Sequence, residues 1–196
     1  NMAERNGTGL FPREVLRRLP LLPVEEEGRL HDARLRENFI DRIFAYSRWT
    51  SMLADKGTPG GLVEFHTAHK MTLMAHSPSH YREMGRLVAQ AGTLPWEELT
   101  AEYGTSLMAG MAEIATPGRH CNVLQHLTGY LKRDLGPDDK AELAGLIEDY
   151  RHGMVPLVVP LTLLKHHFRR LPVPDWVHLQ VYLSPYPKEL MLRNHV

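Results

Sequence analysis

Histidine and lysine side chains are concentrated in one apolar stretch, residues 64–88, with the sequence EFHTAHKMTLMAHSPSHYREMGRLV. The stretch contains His66, His69, Lys70, His76 and His80. Polar groups in such surroundings must be hydrogen-bonded internally or used in function. Lys70 can donate to a phosphate, and a protonated histidine beside it adds a second cation. The stretch therefore predicts either a phosphate contact or a set of neutral, hydrogen-bonded core histidines.

Two structural alternatives apply to the same residues. Lysine is rarely buried without a partner, so Lys70 could instead form an ion pair with Glu64 or Glu83. The histidines could also bind zinc, but the chain has no HExxH motif and the nearby carboxylates lack a recognised zinc-site spacing. We therefore predict no metal site.

The spacing of apolar residues places this chemistry on helices. At 100° per residue, Leu62, His66, His69, Lys70 and Leu73 share one third of a helix, and Met71, Met74 and Ala75 line the opposite side. A helix that is apolar on both sides belongs at the centre of a fold. Ser77 and Pro78 then predict the start of a second helix, so His76, Ser77 and His80 should meet at the turn.

A second polar group lies on a later predicted helix, where Asn122, His126 and Tyr130 fall on one side. Such residues can contact or stack on an unpaired base, or form a buried network between helices. We predict a buried polar cluster that joins both groups, and its members are His66, His76, Ser77, Tyr81, Asn122, His126, Tyr130 and Tyr150.

The strongest concentration of positive charge is the run from Lys165 to Arg170, which carries five potential cations in six positions. Arginine binds phosphate through a planar fork, and neighbouring aromatic rings accept stacking. Cations at a helix end can equally be solvated residues that complement the helix dipole. The predicted polyanion site consists of Lys70, Arg151, Lys165, His166 and Arg193.

Composition limits the classes of protein to consider. The chain has 196 residues, 43% of them hydrophobic, which suffices for one domain with a sizeable core. Lys plus Arg and Asp plus Glu number 23 each, so no overall field attracts nucleic acid or membrane. The single cysteine, Cys121, excludes a disulfide framework and a cysteine-ligated iron–sulfur cluster within the chain. These features predict a cytoplasmic protein without a membrane partner.

The pattern along the chain predicts an all-α fold, a compact multi-helix single domain with a short N-terminal arm. Helix starts are expected at Pro59, Pro78, Pro117 and Pro137, since each proline follows a capping residue or glycine. Residues 1–31 are predicted as an arm and linker, with a short helix near residues 10–19, and residues 32–196 as the helical domain. Residues 177–183 are a weak candidate for a strand.

Four phrases of the sequence resemble one family. FHTAHKMTLMAHSPSHYREMGRLV, NVLQHLTGYLK, YRHGMVPLVVPLTLLKHH and YPKELMLRN are similar to the YbgA-like domain of unknown function, over roughly residues 37–194. The arm, GLFPREVLRRLPLLPVEEEGRLHD, resembles the end of a TudS-like thiouracil desulfidase domain, to which YbgA-like domains are often fused. The resemblance implies that this chain is the C-terminal part of a longer protein.

Such fusions resemble RudS-type desulfidases, which remove sulfur from 4-thiouridine in transfer RNA. The resemblance implies that their iron–sulfur cluster belongs to the desulfidase domain, with no cofactor in this chain. It also implies that this chain is a transfer RNA-binding accessory domain that is not itself catalytic. Two alternatives stay open: a small-molecule enzyme or sensor with a buried pocket, and a purely structural interaction domain.

Overall fold

The computed structural model describes residues 10–195, and the described part of the chain is helical without strands. Its α-helices, in chain order, are α1 Leu10–Arg18, α2 Ala33–Lys56, α3 Pro59–His76, α4 Pro78–Ala89, α5 Trp96–Ala112, α6 Pro117–Thr128, α7 Pro137–Arg151, α8 Val158–Arg170 and α9 Asp175–His178. Short 3-10 turns join or follow them at Glu27–His31, Gly129–Leu131, Val181–Leu183, Lys188–Leu190 and Leu192–Asn194. The predicted all-α class is confirmed.

Proline and a capping residue define several helix starts. Helices α3, α4, α6 and α7 each begin at the expected proline. The Thr58 hydroxyl accepts a hydrogen bond from the backbone N–H of Gly61, and Thr116 accepts one from Arg119. These bonds satisfy amides that would otherwise lack a partner at a helix N-terminus.

Helix α3 lies between two hydrophobic clusters, as its two apolar sides predict. Leu62, Phe65 and Leu73 pack in a cluster with residues of α2, α4 and α5. Met71 and Ala75 pack in a second cluster with residues of α6, α7, α8 and the C-terminal segment. Helix α3 is therefore packed on two sides, and its polar residues His69, Thr72 and His76 are buried.

The C-terminal segment differs from its prediction. Residues 177–183 contain the end of α9 and the 3-10 turn Val181–Leu183, so the weak strand prediction is wrong. This segment packs against α3 through the side chains of Val177 and Tyr182, both of which are buried. The apolar residues at a spacing of two lie in helical turns here, because the described part of the chain offers no strand with which they could pair.

The arm is partly integrated into the domain. The predicted short helix is confirmed as α1, while residues 1–9 lie outside the described part of the chain. After α1, Leu21 packs against the cluster around α2 and α5, Pro23 is buried and Glu25 forms an ion pair with Arg42 at 3.6 Å. The domain boundary at residue 31 stays a prediction.

Among residues 10–195, no helix is both long enough and apolar enough to cross a membrane.

Candidate functional site

Lys70 of α3 is half-buried and faces aromatic side chains. Its ammonium nitrogen is 5.4 Å from the centre of the Trp176 ring, which is a cation–π distance. The Trp176 ring meets Tyr130 edge to face at 5.1 Å. The predicted ion pair of Lys70 with Glu64 is not formed, since Glu64 pairs with Lys56 at 2.9 Å.

Histidines extend this group of rings on both sides. His126 lies 5.6 Å from Tyr130, whose hydroxyl is 3.3 Å from His126 Nε2. His66 lies one turn before Lys70 and stacks nearly parallel on Tyr81, with ring centres 5.6 Å apart. We call this group the aromatic–lysine surface, and its members are His66, Lys70, Tyr81, His126, Tyr130 and Trp176.

The side chain of Gln180 fixes Trp176 against α3. Its amide oxygen accepts from the N–H of Met71, and its amide nitrogen donates to the carbonyl of Thr67 at 2.8 Å. Those two backbone groups would bond each other in an uninterrupted α-helix. The same nitrogen donates to the Trp176 carbonyl at 3.2 Å. The buried Gln180 therefore ties α9 to α3 and positions the Trp176 ring beside Lys70.

His66 and His69 of α3 are neutral at pH 7. Burial, with a smaller contribution from the Lys70 charge, lowers the pKa of His66 to about 4. Burial likewise lowers the pKa of His69 to about 4, even though its Nδ1–H donates to the Phe65 carbonyl at 2.8 Å. His66 Nδ1 bonds the Tyr103 hydroxyl at 3.1 Å. This arrangement agrees with the interpretation of hydrogen-bonded core histidines rather than phosphate-binding cations.

The predicted buried polar cluster is divided between the surface and the interior. Asn122 and His126 are exposed, so the prediction that they are buried is wrong. His66, Tyr81 and Tyr130 are half-buried members of the aromatic–lysine surface. His76, Ser77 and Tyr150 are buried. Only these last three belong to a polar interior.

The turn between α3 and α4 gathers His76, Ser77 and His80, as predicted. The Ser77 hydroxyl donates to Glu113 at 2.6 Å and lies 2.8 Å from His80 Nδ1. The hydrogen bond from Ser77, with the charge of Arg119, lowers the pKa of Glu113 below its usual value despite an opposing effect of burial. Arg119 also donates to the His76 carbonyl. The turn is therefore a closed network of internal hydrogen bonds.

A polar cavity of about 260 Å³ lies beside His76. Its walls come from α2, the segment before α6, the first turns of α6, the C-terminal end of α7 and the chain terminus. The polar and titratable residues that line it are Arg34, Glu37, Asn38, Asp41, His76, His120, Tyr150, Arg151, His152, Arg193 and His195. It shares no residue with the aromatic–lysine surface.

The inner wall of the cavity is formed by three buried side chains from α2 and α3. The amide of Asn38 donates to the carbonyls of Met111 and Glu113 at 3.0 and 3.1 Å. His76 Nδ1 bonds the Glu113 carbonyl at 2.8 Å, and its Nε2 is 3.5 Å from Asp41 Oδ2. The other carboxylate oxygen of Asp41 is buried and has no hydrogen-bond partner within the described residues. Asp41, a residue that lines the cavity, therefore keeps one acceptor that the described residues leave unsatisfied.

Arg193 is the centre of a second buried cluster at the cavity. It is 9% exposed, donates to the Tyr182 carbonyl at 2.7 Å and lies 3.3 Å from Glu37. Glu37 also accepts from the Tyr186 hydroxyl at 3.0 Å. Burial opposes the charge of Arg193, but the surrounding acidic groups, Asp41 first, raise its pKa above the ordinary value. Arg193 is thus an internal ion that ties the C-terminus to α2.

The other predicted polyanion residues differ in their surroundings. Arg151 lines the cavity and lies 3.3 Å from Glu148, with both side chains largely exposed. Lys165 donates to the Leu183 carbonyl at 3.0 Å, and burial, followed by the charge of Arg193, lowers its pKa. His166 is half-buried beside His167. The five-cation polyanion site stays a prediction, and two of its members, Lys165 and Arg193, already bond groups of the protein itself.

Two other chemical possibilities concern metal and cysteine. Among the described residues, no group of three or more His, Cys, Asp or Glu side chains is placed to hold a metal ion. Cys121 is fully buried, its Sγ donates to the Ile147 carbonyl at 3.6 Å and burial raises the pKa of its thiol. It packs as a small apolar residue.

Several residues of the aromatic–lysine surface and of the cavity were not predicted from the sequence. Asn38 and Asp41, three residues apart, interrupt the apolar side of α2, and this polar pair on a buried side was a usable signal. Arg34 lies one turn earlier on the same helix. Trp176 and Gln180 gave no signal, because the irregular segment that carries them has no periodicity that predicts its neighbours.

The protein is thus a helical domain that has the aromatic–lysine surface and, apart from it, the cavity beside His76. Residues 70–187 match the family model described as "Protein of unknown function (DUF1722)". The chain is also 30% identical, over 164 residues, to "Uncharacterized protein YbgA" of Escherichia coli (strain K12), which covers 82% of this chain and 95% of the relative. The chain therefore belongs to the DUF1722 family, and the resemblance to YbgA-like domains is confirmed. No solved structure was found to match the chain.

Proposed function

We propose that this chain is an RNA-binding domain that holds unpaired nucleotides on the aromatic–lysine surface. The observation that carries the proposal is the placement of Lys70 beside Trp176 and Tyr130, on a surface that also presents neutral histidine rings. Proteins that bind single strands combine stacking platforms with cations that follow the phosphates. Each stacked base contributes roughly 1 to 3 kcal/mol in such sites.

The neutral charge of the chain suits this mode of binding. With no net charge, attraction to phosphates is local, and stacking must supply most of the affinity. Because the pKa of His66 is about 4 and that of His126 is also lowered by burial, these rings stay uncharged at pH 7. A neutral imidazole can stack on a base and exchange hydrogen bonds with its edge.

The identity of the RNA rests on the family resemblance. In this proposal the chain presents transfer RNA in the cytoplasm to a TudS-like 4-thiouridine desulfidase and is not itself catalytic. The matched region accounts for nearly all of the Escherichia coli relative, so a chain of this family can consist of little more than this domain. We propose accordingly that the desulfidase partner is either fused to the domain or a separate protein.

Binding can be tested by fluorescence anisotropy with the full chain, unmodified transfer RNA and a single-stranded oligouridylate. We expect Trp176→Ala to weaken binding about 5- to 100-fold, because the main stacking platform is lost. Lys70→Gln should weaken binding less and reduce the slope of log affinity against log salt by about 0.7 to 0.9, since one phosphate contact is lost.

Matched controls separate this surface from charge in general. Lys140 is exposed on α7 and is not a member of the proposed surface, so Lys140→Gln should bind as the unmodified chain does. Absence of binding to either RNA, or equal affinities for Trp176→Ala and the unmodified chain, would remove the proposal. A duplex RNA that binds better than the single strand would contradict the stacking mode.

A further inference from the structure

The polar cavity beside His76 has an open mouth lined by cations. Arg34, Arg151 and His152 all line the cavity and are exposed. Among the described residues, the Arg34 guanidinium has no hydrogen bond or ion pair, and Arg151 is only loosely paired with the exposed Glu148. The Arg34 guanidinium can therefore turn toward a ligand without breaking an interaction of the protein, and Arg151 can do so at the loss of its exposed pair with Glu148 and its contact with the Cys121 thiol.

The backbone at the mouth is also suited to an anion. Pro117, the first residue of α6, lines the cavity, so the positive end of this 12-residue helix faces the same space. Pro117 has no N–H and the N–H of Arg119 donates to Thr116, so the helix acts here through its dipole rather than through these amides. The opposing end of α7 is not left with free carbonyls, because the N–H groups of His152, Gly153 and Met154 donate to the carbonyls of its last turn. Two carboxylates also line the cavity, of which Glu37 is paired with Arg193 and Asp41 lies 3.5 Å from His76. The exposed cations and the helix end thus favour negative charge at the mouth.

The inner wall has the opposite requirement. Asp41 is 5% exposed, and its Oδ1 is a buried carboxylate oxygen without a partner among the described residues. Leaving such an atom unsatisfied is costly, and a ligand that donates a hydrogen bond to it removes this cost. Asn38 cannot supply the bond, since its amide already donates to two carbonyls.

We propose that the cavity binds a phosphomonoester of a small hydroxylated compound. The phosphoryl group lies at the mouth, between Arg34, Arg151 and the first turn of α6, and a hydroxyl group donates to Asp41 at the inner wall. Arginine forks match phosphate oxygens in pairs, whereas a hydroxyl group is the donor that a buried carboxylate lacks. A volume of about 260 Å³ suits a compound of triose or tetrose phosphate size rather than a dinucleotide.

The same chemistry has two sources, a free metabolite and the 5′-terminal phosphate of an RNA strand with its ribose hydroxyls. The proposal does not depend on RNA binding at the aromatic–lysine surface, because the two places have no residue in common.

Isothermal titration calorimetry on the full chain tests the proposal with three probes: glycerol 3-phosphate, inorganic phosphate and glycerol. We expect glycerol 3-phosphate to bind at least tenfold more tightly than phosphate, and glycerol alone not to bind. Arg34→Gln, at an exposed and unpaired position, should weaken binding of both anions tenfold or more. Arg169→Gln, at another exposed arginine, should leave both affinities unchanged.

The role of Asp41 has its own readout. Asp41→Asn should bring the affinity for glycerol 3-phosphate close to that for phosphate, without weakening phosphate itself. A merely structural role would weaken both equally and would contradict the assignment. Should this variant fail to fold, the preference of the unmodified chain for glycerol 3-phosphate over phosphate decides the point.

Competition then distinguishes the two sources. Displacement of glycerol 3-phosphate by a 5′-phosphorylated oligouridylate, but not by its 5′-hydroxyl form, would identify an RNA end, while no displacement by either would identify a free metabolite. Lys70→Gln and Trp176→Ala should bind glycerol 3-phosphate normally even if they lose RNA. No binding of glycerol 3-phosphate at millimolar concentration, or equal binding by Arg34→Gln and the unmodified chain, would overturn the proposal.

Discussion

The buried ion pair between Arg193 and Glu37 should be a main determinant of stability. It joins the last turn of the chain to α2, and its guanidinium is 9% exposed. Arg193 also lies over the rings of Tyr182 and Tyr186, at 4.9 and 5.8 Å from their centres. Replacing Arg193 by methionine keeps an apolar stem of similar length and removes every one of these polar contacts.

The expected cost follows from what remains after the substitution. Removing one partner of a buried pair typically costs about 3 to 5 kcal/mol, because the other charge is left buried. Glu37 would retain Tyr186 and His195, at 3.0 and 2.6 Å, so the lower end of this range applies. We therefore expect Arg193→Met to lose about 3 kcal/mol. For a chain of this length that corresponds to a fall in Tm of about 6 to 12 °C.

Urea and thermal unfolding at pH 7 would measure the loss. Arg169→Met is the matched control, since Arg169 is exposed on α8 and its substitution should change stability by less than about 0.5 kcal/mol. In Glu37→Gln/Arg193→Met both charges are removed, so the double variant should be less destabilised than the sum of its single variants.

A loss of less than about 1 kcal/mol in Arg193→Met would refute this reasoning. So would strict additivity of the two substitutions, because it would show that the pair does not interact. An unfolded Arg193→Met chain that regains structure in the double variant would support the argument from the uncompensated carboxylate.

Two further predictions concern pH and packing. Burial lowers the pKa of His69 from 6.5 to about 4. Between pH 6.5 and pH 4 the unfolded chain therefore binds a proton at His69 that the native chain does not bind. Stability should fall as pH falls from 6.5 toward 4. In urea unfolding at pH 7 and 4.5, His69→Phe should remove about 2 to 3 kcal/mol of that loss, and an unchanged pH dependence would contradict the assignment. A methyl group on Gly104 would lie 2.9 Å from Trp49 Nε1, so Gly104→Ala should lower the free energy of unfolding by about 1 to 3 kcal/mol. Gly145 has open space around it on an exposed part of α7, so Gly145→Ala should raise the free energy of unfolding by about 0.5 to 1 kcal/mol. Equal effects of the two substitutions on Tm would refute the packing argument.

Local patterns predicted the helices of the domain well. Proline after a capping residue or glycine gave four helix starts, because proline fixes a helical φ and lacks only an N–H that the first turn leaves unbonded. The two apolar sides of α3 predicted its central position for a similar reason, since each side requires its own apolar partner. Both inferences depend on residues that are close together in the sequence of one helix, so the sequence alone is enough to make them.

Burial of individual polar residues was predicted less well. Asn122 and His126 lie on a side of α6 that faces solvent, whereas Tyr130 lies in the 3-10 turn after α6 and is half-buried against Trp176. Asn38 and Asp41, which are buried on the inward side of α2, are among the residues that line the cavity. A helical period shows which residues share a side, but the partner that covers that side comes from a distant part of the chain.

The sequence determined the helical class, the positions of the helix starts, the central place of α3 and membership of the family, because these follow from local conformational preferences and from a pattern of residues shared with a relative. Only the tertiary structure decided what each cation contacts. In the sequence, Arg193 and Lys165 are cations like Lys70. In the fold, Arg193 forms an ion pair with Glu37, and Lys165 donates a hydrogen bond to the Leu183 carbonyl of the C-terminal segment. The physical reason is that the energy of a charge depends on its distance to other groups and on its exposure to water, and both are set by residues far away in the chain.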